Sequence, residues 1–324
     1  MKAIMYHYVR PYDPTYPYFQ YLDIDNFVRQ LEFLGNHYGF VSKEQMLECV
    51  SEARPTRGVV LTFDDGFVDH FQWVLPELRK LGLWGIFYIP TAPLTVGRIL
   101  DVHRIHLLLG RYGGEEIADV LGNLICEEML SDKLVNEFRT STYLKQDNEG
   151  SVNFVKRTLN YFIDARYRTI VIDDLMATYY PSDGELVQSV YMSKAMLSEM
   201  QDDGMTLGSH SVSHCVMSQL SIEEQENEIR DSFNMLEMIT GSTPIKTFCY
   251  PYGGYHTFSR ETEALLDRFS CLFSFNVESR DISRTDLAER RQALPRFDCS
   301  EFPHGTRGDS LLPGGCATVV LDHD

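Results

Sequence analysis

Three short stretches carry residue types whose spacing could support chemistry. The first is Leu61-Thr62-Phe63-Asp64-Asp65-Gly66-Phe67, where two carboxylates stand side by side after the apolar run Gly58-Val59-Val60-Leu61-Thr62-Phe63. Neighbours in a strand point to opposite faces, so both acids can serve one site only if the strand ends there and the backbone turns, a turn Gly66 can supply. A plain surface turn is the alternative, since Asp-Gly is a common turn pair. The second stretch is Gly208-Ser209-His210-Ser211-Val212-Ser213-His214. Two His four apart lie on one side of a helical turn, and neutral imidazole is a common metal ligand, so the pair reads as two ligands to one ion. With one carboxylate they make two His and one Asp, a set that suits Zn²⁺ or a similar divalent ion and leaves positions open for water and substrate. The third is Phe248-Cys249-Tyr250-Pro251-Tyr252-Gly253-Gly254-Tyr255, an irregular loop whose N–H groups could bind an oxyanion, or an ordinary aromatic-rich turn.

All three sit at the ends of predicted strands. Ala3-Ile4-Met5-Tyr6 reads as a first short strand, followed by an amphipathic helix over roughly 24–35 built on Phe27, Leu31, Phe33 and Leu34. The strand before Asp64, a helix from about Trp73 to Leu81 closed by Gly82, and the strand Gly85 to Pro90 form a βαβ unit, which predicts a parallel sheet. Such buried strands read as continuous apolar runs, and α/β folds place chemistry at their C-terminal ends. From 98 to 189 the rhythm changes. Ile117, Val120, Leu121, Leu124 and Ile125, then Val152, Val155, Leu159, Phe162 and Ile163, follow helical spacing, so this segment reads as a mostly helical insertion, either a cap over the site or added surface packing. Alternation resumes with Ser193 as an N-cap, a helix ending at Gly204, the strand Met205 to Gly208, and the capping box Ser221-Ile222-Glu223-Glu224 opening a helix to about Thr240. The strand Ile245 to Cys249, a helix over 259–268 and the strand Ser270 to Phe275 complete the pattern, and the tail from Asp309 onward looks loosely held.

Composition narrows the function. The 324 residues include 29 basic and 47 acidic side chains, a formal net charge of −18, which disfavours nucleic acid as a partner because such binding rests on Lys and Arg neutralising phosphates. The start Met1-Lys2-Ala3-Ile4-Met5-Tyr6-His7 lacks the apolar core of a signal peptide, and no stretch approaches a membrane span, so a cytoplasmic location is expected. Seven scattered cysteines without a Cys-x-x-Cys pair indicate neither a disulfide framework nor a thiolate zinc site, and most read as small buried hydrophobes.

Taken in order, Thr62-Phe63-Asp64-Asp65-Gly66, His210-Ser-x-x-His214 and Tyr250-Pro251-Tyr252-Gly253 resemble the first three motifs of the polysaccharide deacetylase family, also called the NodB homology domain or carbohydrate esterase family 4. Met5-Tyr6-His7 with Phe27-x-x-Gln30-Leu31, and Leu294-Pro295-Arg296, are similar to the subset found with surface-polysaccharide biosynthesis. The resemblance covers residues 1–97 and 190–308 and leaves the insertion, 98–189, and the tail, 309–324, outside. It implies a distorted, incomplete (β/α) barrel that hydrolyses an N-acetyl or N-formyl group from an amino sugar carried on a nucleotide, lipid or oligosaccharide. Asp65, His210 and His214 would hold a divalent metal, expected to be Zn²⁺; a metal-bound water would be the nucleophile and Asp64 the general base. Tyr250, Pro251, Tyr252 and Gly253 would form the substrate-binding loop, with the Tyr252 N–H facing the oxyanion.

Two departures from the family pattern stand out. Many members carry an Arg directly before the aromatic-Pro pair, to hold the catalytic Asp; here that position is Cys249, and Arg296, or less plausibly Lys246, is the expected substitute. Many also carry a late Leu-x-His that supplies the general acid; Phe297-Asp298-Cys299-Ser300 has none, leaving His7 and, further down, His304 as substitutes. These departures keep open a catalytically weak carbohydrate-binding relative, or a hydrolase of another amide bond.

Overall fold

The computed structural model describes residues 1–130, 149–180, 186–241 and 245–305; the expected tail from Asp309 lies outside the described residues. The chain runs through strands β1 (Lys2–Tyr6), β2 (Val9–Arg10), β3 (Leu22–Asp23), β4 (Val59–Phe63), β5 (Gly85–Ile89), β6 (Thr206–Ser209), β7 (Thr247–Cys249), β8 (Phe273–Phe275) and β9 (Phe297–Asp298). Seven of these make one sheet in the order β8-β7-β6-β5-β4-β1-β9, with every pair parallel. The sheet curls into the expected incomplete barrel. Its two edges come within a few residues of each other along one segment: Leu294 N–H donates to the Ser274 carbonyl at 2.8 Å beside β8, and Phe297 pairs with Ile4 of β1. Residues 294–298 therefore bridge the gap between the first and last strands.

Alternation along each strand divides the core in two. Ile4, Tyr6, Leu61, Phe63, Phe87 and Ile89 face outward onto helices, including α1 (Ile24–His37) and α3 (Leu75–Leu81). Ala3, Val60, Ile86, Tyr88, Phe273 and Phe275 face inward and meet α2 (Lys43–Glu52) through Met46, Cys49 and Val50. Val60, Thr62 and Asp64 share this inward face by their period of two. Local signals read from the sequence hold: Gly82 ends α3 in the left-handed conformation at φ 63°, Ser193 caps its helix by accepting the Met196 N–H, and Ser221 and Glu224 form a complete capping box. Gln30, wholly buried on α1, accepts from the Tyr6 hydroxyl at 2.7 Å and donates to the Cys299 carbonyl at 2.9 Å, tying the closing segment to the first strand.

Between β5 and β6 come α4 (Ala92–Val96), α5 (Asp101–Tyr112), α6 (Gly114–Leu124) and helices Gly150–Arg157 and Ala165–Tyr179. Ile105, Leu108, Ile117, Leu121, Val155, Leu159, Ile172 and Leu175 bury one another in a cluster of their own. Residues 98–112 and 186–192 carry the chain between this cluster and the barrel rim, where Phe67 and Tyr191 bridge and the Met192 N–H donates to the Gly66 carbonyl at 3.0 Å.

One glycine is fixed by close approach rather than by conformation. A Cβ on Gly208 would lie 2.4 Å from the buried Tyr88 ring and 2.9 Å from Thr247 Cγ2, and the Tyr88 hydroxyl is itself hydrogen-bonded to Thr247 at 2.8 Å. Gly208→Ala is expected to destabilise the fold by about 1–3 kcal/mol through overpacking, read from the urea unfolding midpoint. A midpoint unchanged from the parent would show that the Tyr88 ring can shift freely.

Candidate metal centre and active site

The paired carboxylates stand where β4 ends, and the backbone turns at the second of them. Asp65 has φ 77° and Gly66 φ 64°, so the reversal begins one residue earlier than the sequence suggests, at a non-glycine residue held in a sparsely populated conformation. That turn is why two neighbours in sequence serve one site. Asp64 continues the inward face of β4, its N–H bonded to the Tyr6 carbonyl at 2.9 Å, while Asp65 swings toward β5 and β6.

His210 and His214 do converge on Asp65, but from a loop and not from the expected helical turn. Ser211 (φ 62°) and His214 (φ 57°) are left-handed, and the loop is wound around Glu228, which accepts from the N–H groups of Val212 and Ser213 and from the Ser213 hydroxyl. Ser211 Oγ accepts the His214 N–H at 3.0 Å. The polar side chains between the two His thus replace helical hydrogen bonds, a role the i, i+4 spacing alone does not reveal. His210 Nδ1 lies 2.7 Å from the Cys249 carbonyl. A carbonyl only accepts, so the proton sits on Nδ1 and Nε2 presents its lone pair. Burial pushes His210 down to about 4, keeping it neutral.

Donor atoms of Asp65, His210 and His214 all fall within 4.8 Å of one another. Asp65 Oδ1, buried and without a hydrogen-bond partner, lies 3.3 Å from His214 Nε2 and 3.5 Å from His210 Nε2. Burial opposes ionisation of Asp65, but the imidazoles of His103 and His214 at its edge hold it well below the usual carboxylate range. An orphaned carboxylate oxygen facing two imidazole nitrogens is a donor set that fits a divalent cation. The neighbouring group Asp64, His210 and Cys249 also converges, but it does not fit a cation, because a guanidinium already occupies it.

That guanidinium belongs to Arg296. Wholly buried, it donates to both oxygens of Asp64 at 2.8 Å each, to Thr62 Oγ at 3.0 Å, to Cys249 Sγ at 2.9 Å and to the Asn276 carbonyl at 3.0 Å. Burial alone would raise the Asp64 carboxyl; the charge and paired hydrogen bonds of Arg296 outweigh it and hold the group at about 2. Cys249, one of the cysteines read as a small buried hydrophobe, takes part in the same network. Burial pushes its thiol up, so it stays protonated, accepts from Arg296 and donates to Asp64 Oδ2 at 3.5 Å. Lys246, the other expected cation, is elsewhere: it precedes β7, at the opposite end of the strand from the site, with its ammonium over the Phe233 ring.

The remaining residues divide. His7 Nε2 lies 4.0 Å from Asp64 Oδ2 with 41% of the side chain exposed, and its carbonyl accepts from His70 Nε2 at 2.7 Å, which fixes the end of β1. His304 stands exposed in a turn after β9. Tyr252 (φ 62°) brings its ring within 5.1 Å of the His214 ring, and Gly253 is left-handed at φ 68°. Tyr250 points away. Its ring stacks on Phe258 at 3.8 Å and its hydroxyl donates to the Gln292 carbonyl, so with the buried Pro251 it shapes the loop from beneath rather than lining the site. One residue escaped the sequence reading: His103, on α5, places Nε2 3.2 Å from Asp65 Oδ2. The available signal was Asp101-x-His103-x-x-His106 opening a helix right after the barrel rim, but its ordinary reading is a helix start.

A parallel half-barrel whose acids and imidazoles gather at the C-terminal strand ends defines a class of α/β protein, and comparison shows which known proteins it is similar to. The polysaccharide deacetylase family model matches residues 162–267, which hold His210, His214 and the Tyr250 loop. Among solved structures, the Streptococcus pyogenes deacetylase PplD, in complex with acetate, aligns over 92% of this chain and 91% of its own at TM-score 0.56 and 16% identity. BC0361, a polysaccharide deacetylase from Bacillus cereus, aligns over 92% of this chain and 64% of its own (TM-score 0.53, 14% identity), and IcaB from Ammonifex degensii over 91% and 90% (TM-score 0.52, 15% identity). No curated protein sequence matches. The family model thus covers the second and third motifs, and the likeness to these solved structures is one of fold.

The Asp64–Arg296 pair makes stability depend on pH with a definite sign. The folded value of Asp64, about 2, lies below its ordinary 3.8, so the pair contributes about 2 kcal/mol that is present above pH 4 and fades as pH falls toward 2. Arg296→Met leaves the carboxylate buried without its cation and is expected to destabilise by about 3–5 kcal/mol at pH 7. The difference from the parent should narrow by pH 4.5, where the stranded carboxyl can protonate. A difference in urea midpoint that stays constant between those pH values would contradict this account.

Proposed function

We propose that the chain is a metal-dependent N-deacylase of an amino sugar, releasing an acetyl or formyl group in surface-polysaccharide biosynthesis. The observation that carries the reading is the juxtaposition of an Asp-His-His donor set with a second carboxylate that an arginine holds apart from it. Asp65, His210 and His214 would hold the divalent ion, expected to be Zn²⁺, which when bound acidifies water and polarises an amide oxygen. Arg296 holds the Asp64 carboxyl at about 2, so at neutral pH Asp64 is a carboxylate that can take the proton of the attacking water. So low a value makes it a weak base, which suits a water that is itself acidified. Both of its oxygens are held by Arg296, so the carboxylate has one orientation and little freedom to turn toward the ion site.

The oxyanion would face the Tyr252 N–H in the left-handed bend of its loop. His7, close to Asp64 and open to solvent, is placed to give a proton to the departing amine. Beside His214 and Tyr252 lies a cleft of about 200 Å³, bounded on the other side by Leu100, Val102, Arg98 and Arg168, which offers the sugar a wall from the barrel and a wall from the helical segment. Fold relatives that include a deacetylase solved with acetate support the acyl class. No helix of the described residues is long and apolar enough to cross a membrane. The reading includes a cytoplasmic reaction on a nucleotide-, lipid- or oligosaccharide-linked precursor. Arg296 in contact with Asp64 answers one of the two grounds for a catalytically weak carbohydrate-binding relative, the missing arginine at Cys249; the other was the missing late His.

Acetate or formate release from N-acetyl and N-formyl amino sugars, offered free, nucleotide-linked and lipid-linked, tests the reading and identifies the carrier. Asp64→Asn is expected to lower kcat by about 10²–10⁴ while bound metal is retained. His210→Ala is expected to lose the metal, measured by elemental analysis of the purified protein. Full turnover by Asp64→Asn would remove it as the base.

A further inference from the structure

His103 exposes only 1% of its surface, belongs to the helical segment and not to the barrel, and nothing in the proposed reaction uses it. Its Nε2 faces Asp65 Oδ2 at 3.2 Å, while Asp65 Oδ1 faces the two ligand imidazoles. The carboxylate is thereby divided, one oxygen to each side. Whether His103 ligates or positions follows from its other nitrogen. Nδ1 is in short hydrogen-bond contact with the Tyr191 hydroxyl, and the same hydroxyl oxygen accepts the Leu100 N–H at 3.1 Å. With one of its oxygen lone pairs taken by Leu100, Tyr191 has its own proton to give, and Nδ1 is the acceptor beside it. An imidazole ring keeps at least one proton, and with Nδ1 accepting from Tyr191 that proton sits on Nε2, toward Asp65. A protonated Nε2 cannot bind a cation, and the donor set that converges consists of Asp65, His210 and His214 without His103. The approach of Nε2 to Asp65 Oδ2 is a charge contact at 3.2 Å and not a well-aligned hydrogen bond, since Nε2 has no hydrogen-bond partner among the described residues. Phe67 holds the ring from the side, edge to face at 4.7 Å.

We propose that His103 is a positioning residue for the ion site: the Tyr191–His103 pair holds Asp65 Oδ2, so that Oδ1 alone is presented to the metal. His103 lies near the start of the helical segment and Tyr191 just past its end, so the segment is tied into the proposed metal centre and does more than cover it. Residues that orient a ligand in this way commonly govern metal affinity about as strongly as 10–100-fold. The inference rests on the reading of Asp65, His210 and His214 as metal ligands.

The test is the Zn²⁺ dissociation constant of the full chain, measured by chelator competition, with the visible spectrum of the Co²⁺-substituted protein as a report on ligand geometry. His103→Phe is expected to weaken Zn²⁺ binding by about 10–100-fold and to alter the Co²⁺ spectrum. His103→Gln, which keeps a donor, should recover part of the affinity. Tyr191→Phe removes only a hydroxyl; it should weaken binding in the same direction by a smaller factor, and its effect should vanish in the His103→Phe background. Because that substitution leaves the packing in place, it decides the matter if His103→Phe fails to fold. Parental affinity in folded His103→Phe, or in Tyr191→Phe, would overturn the proposal. A parent chain that binds no Zn²⁺ or Co²⁺ at all would overturn the metal-centre reading on which it rests.

Discussion

Everything in the site is arranged around a buried ion pair. Taking a carboxylate and a guanidinium out of water is costly, and their attraction offsets that only when geometry is good and the remaining donors are satisfied. Here both conditions hold: Arg296 meets both oxygens of Asp64, and its other N–H groups reach Thr62, Cys249 and the Asn276 carbonyl. The pair fixes where a free carboxylate can stand inside a barrel lined by Val60, Ile86, Tyr88 and Phe275. It also separates two adjacent acids by function. Asp64 is neutralised by a cation of the protein, which leaves Asp65 as the carboxylate with an unpartnered oxygen facing two imidazoles.

Much of this was legible in the chain. The apolar strands, their parallel pairing and the caps at Ser193 and Ser221 follow from periodicity and turn chemistry, while the incomplete barrel and the choice of Asp65 to join His210 and His214 were implied by the resemblance. Arg296 was legible through a resemblance, since nothing local in Leu294-Pro295-Arg296 says which way the side chain points. Features that the sequence concealed share a physical cause: each depends on a contact between segments far apart in the chain. The His210–His214 loop looks helical by spacing but is wound by Glu228, some 15 residues on. Tyr250 looks like part of a recognition loop, yet Phe258 and Gln292 draw it into the core. His103 has the pattern of a helix start, and only the packing of α5 against the rim of β4 reveals its carboxylate neighbour.

The helical segment is easily mistaken for decoration, because its own core of Ile105, Leu121, Val155 and Leu175 is separate from that of the barrel. Its attachments say otherwise. Tyr191 bridges Phe67 just after the acids, Met192 bonds Gly66, and Tyr161 packs near Tyr252. A segment stitched to the site at these points sets the shape of one wall of the cleft.

The closing segment has a consequence for how the molecule comes into being. Arg296 and Asp64 are 232 residues apart, and the same segment bonds both edges of the sheet. Contacts of such long sequence separation form late, since the loop they close must be ordered first. As the chain leaves the ribosome from its N-terminus, β4 is complete long before residue 296 exists. Until then the nascent protein holds a carboxylate on the inward face with no cation to accompany it. The arginine is therefore the last piece to arrive: docking of residues 294–298 closes the barrel and sets Asp64 in one step, so a chain that has not finished folding lacks the arrangement proposed for catalysis.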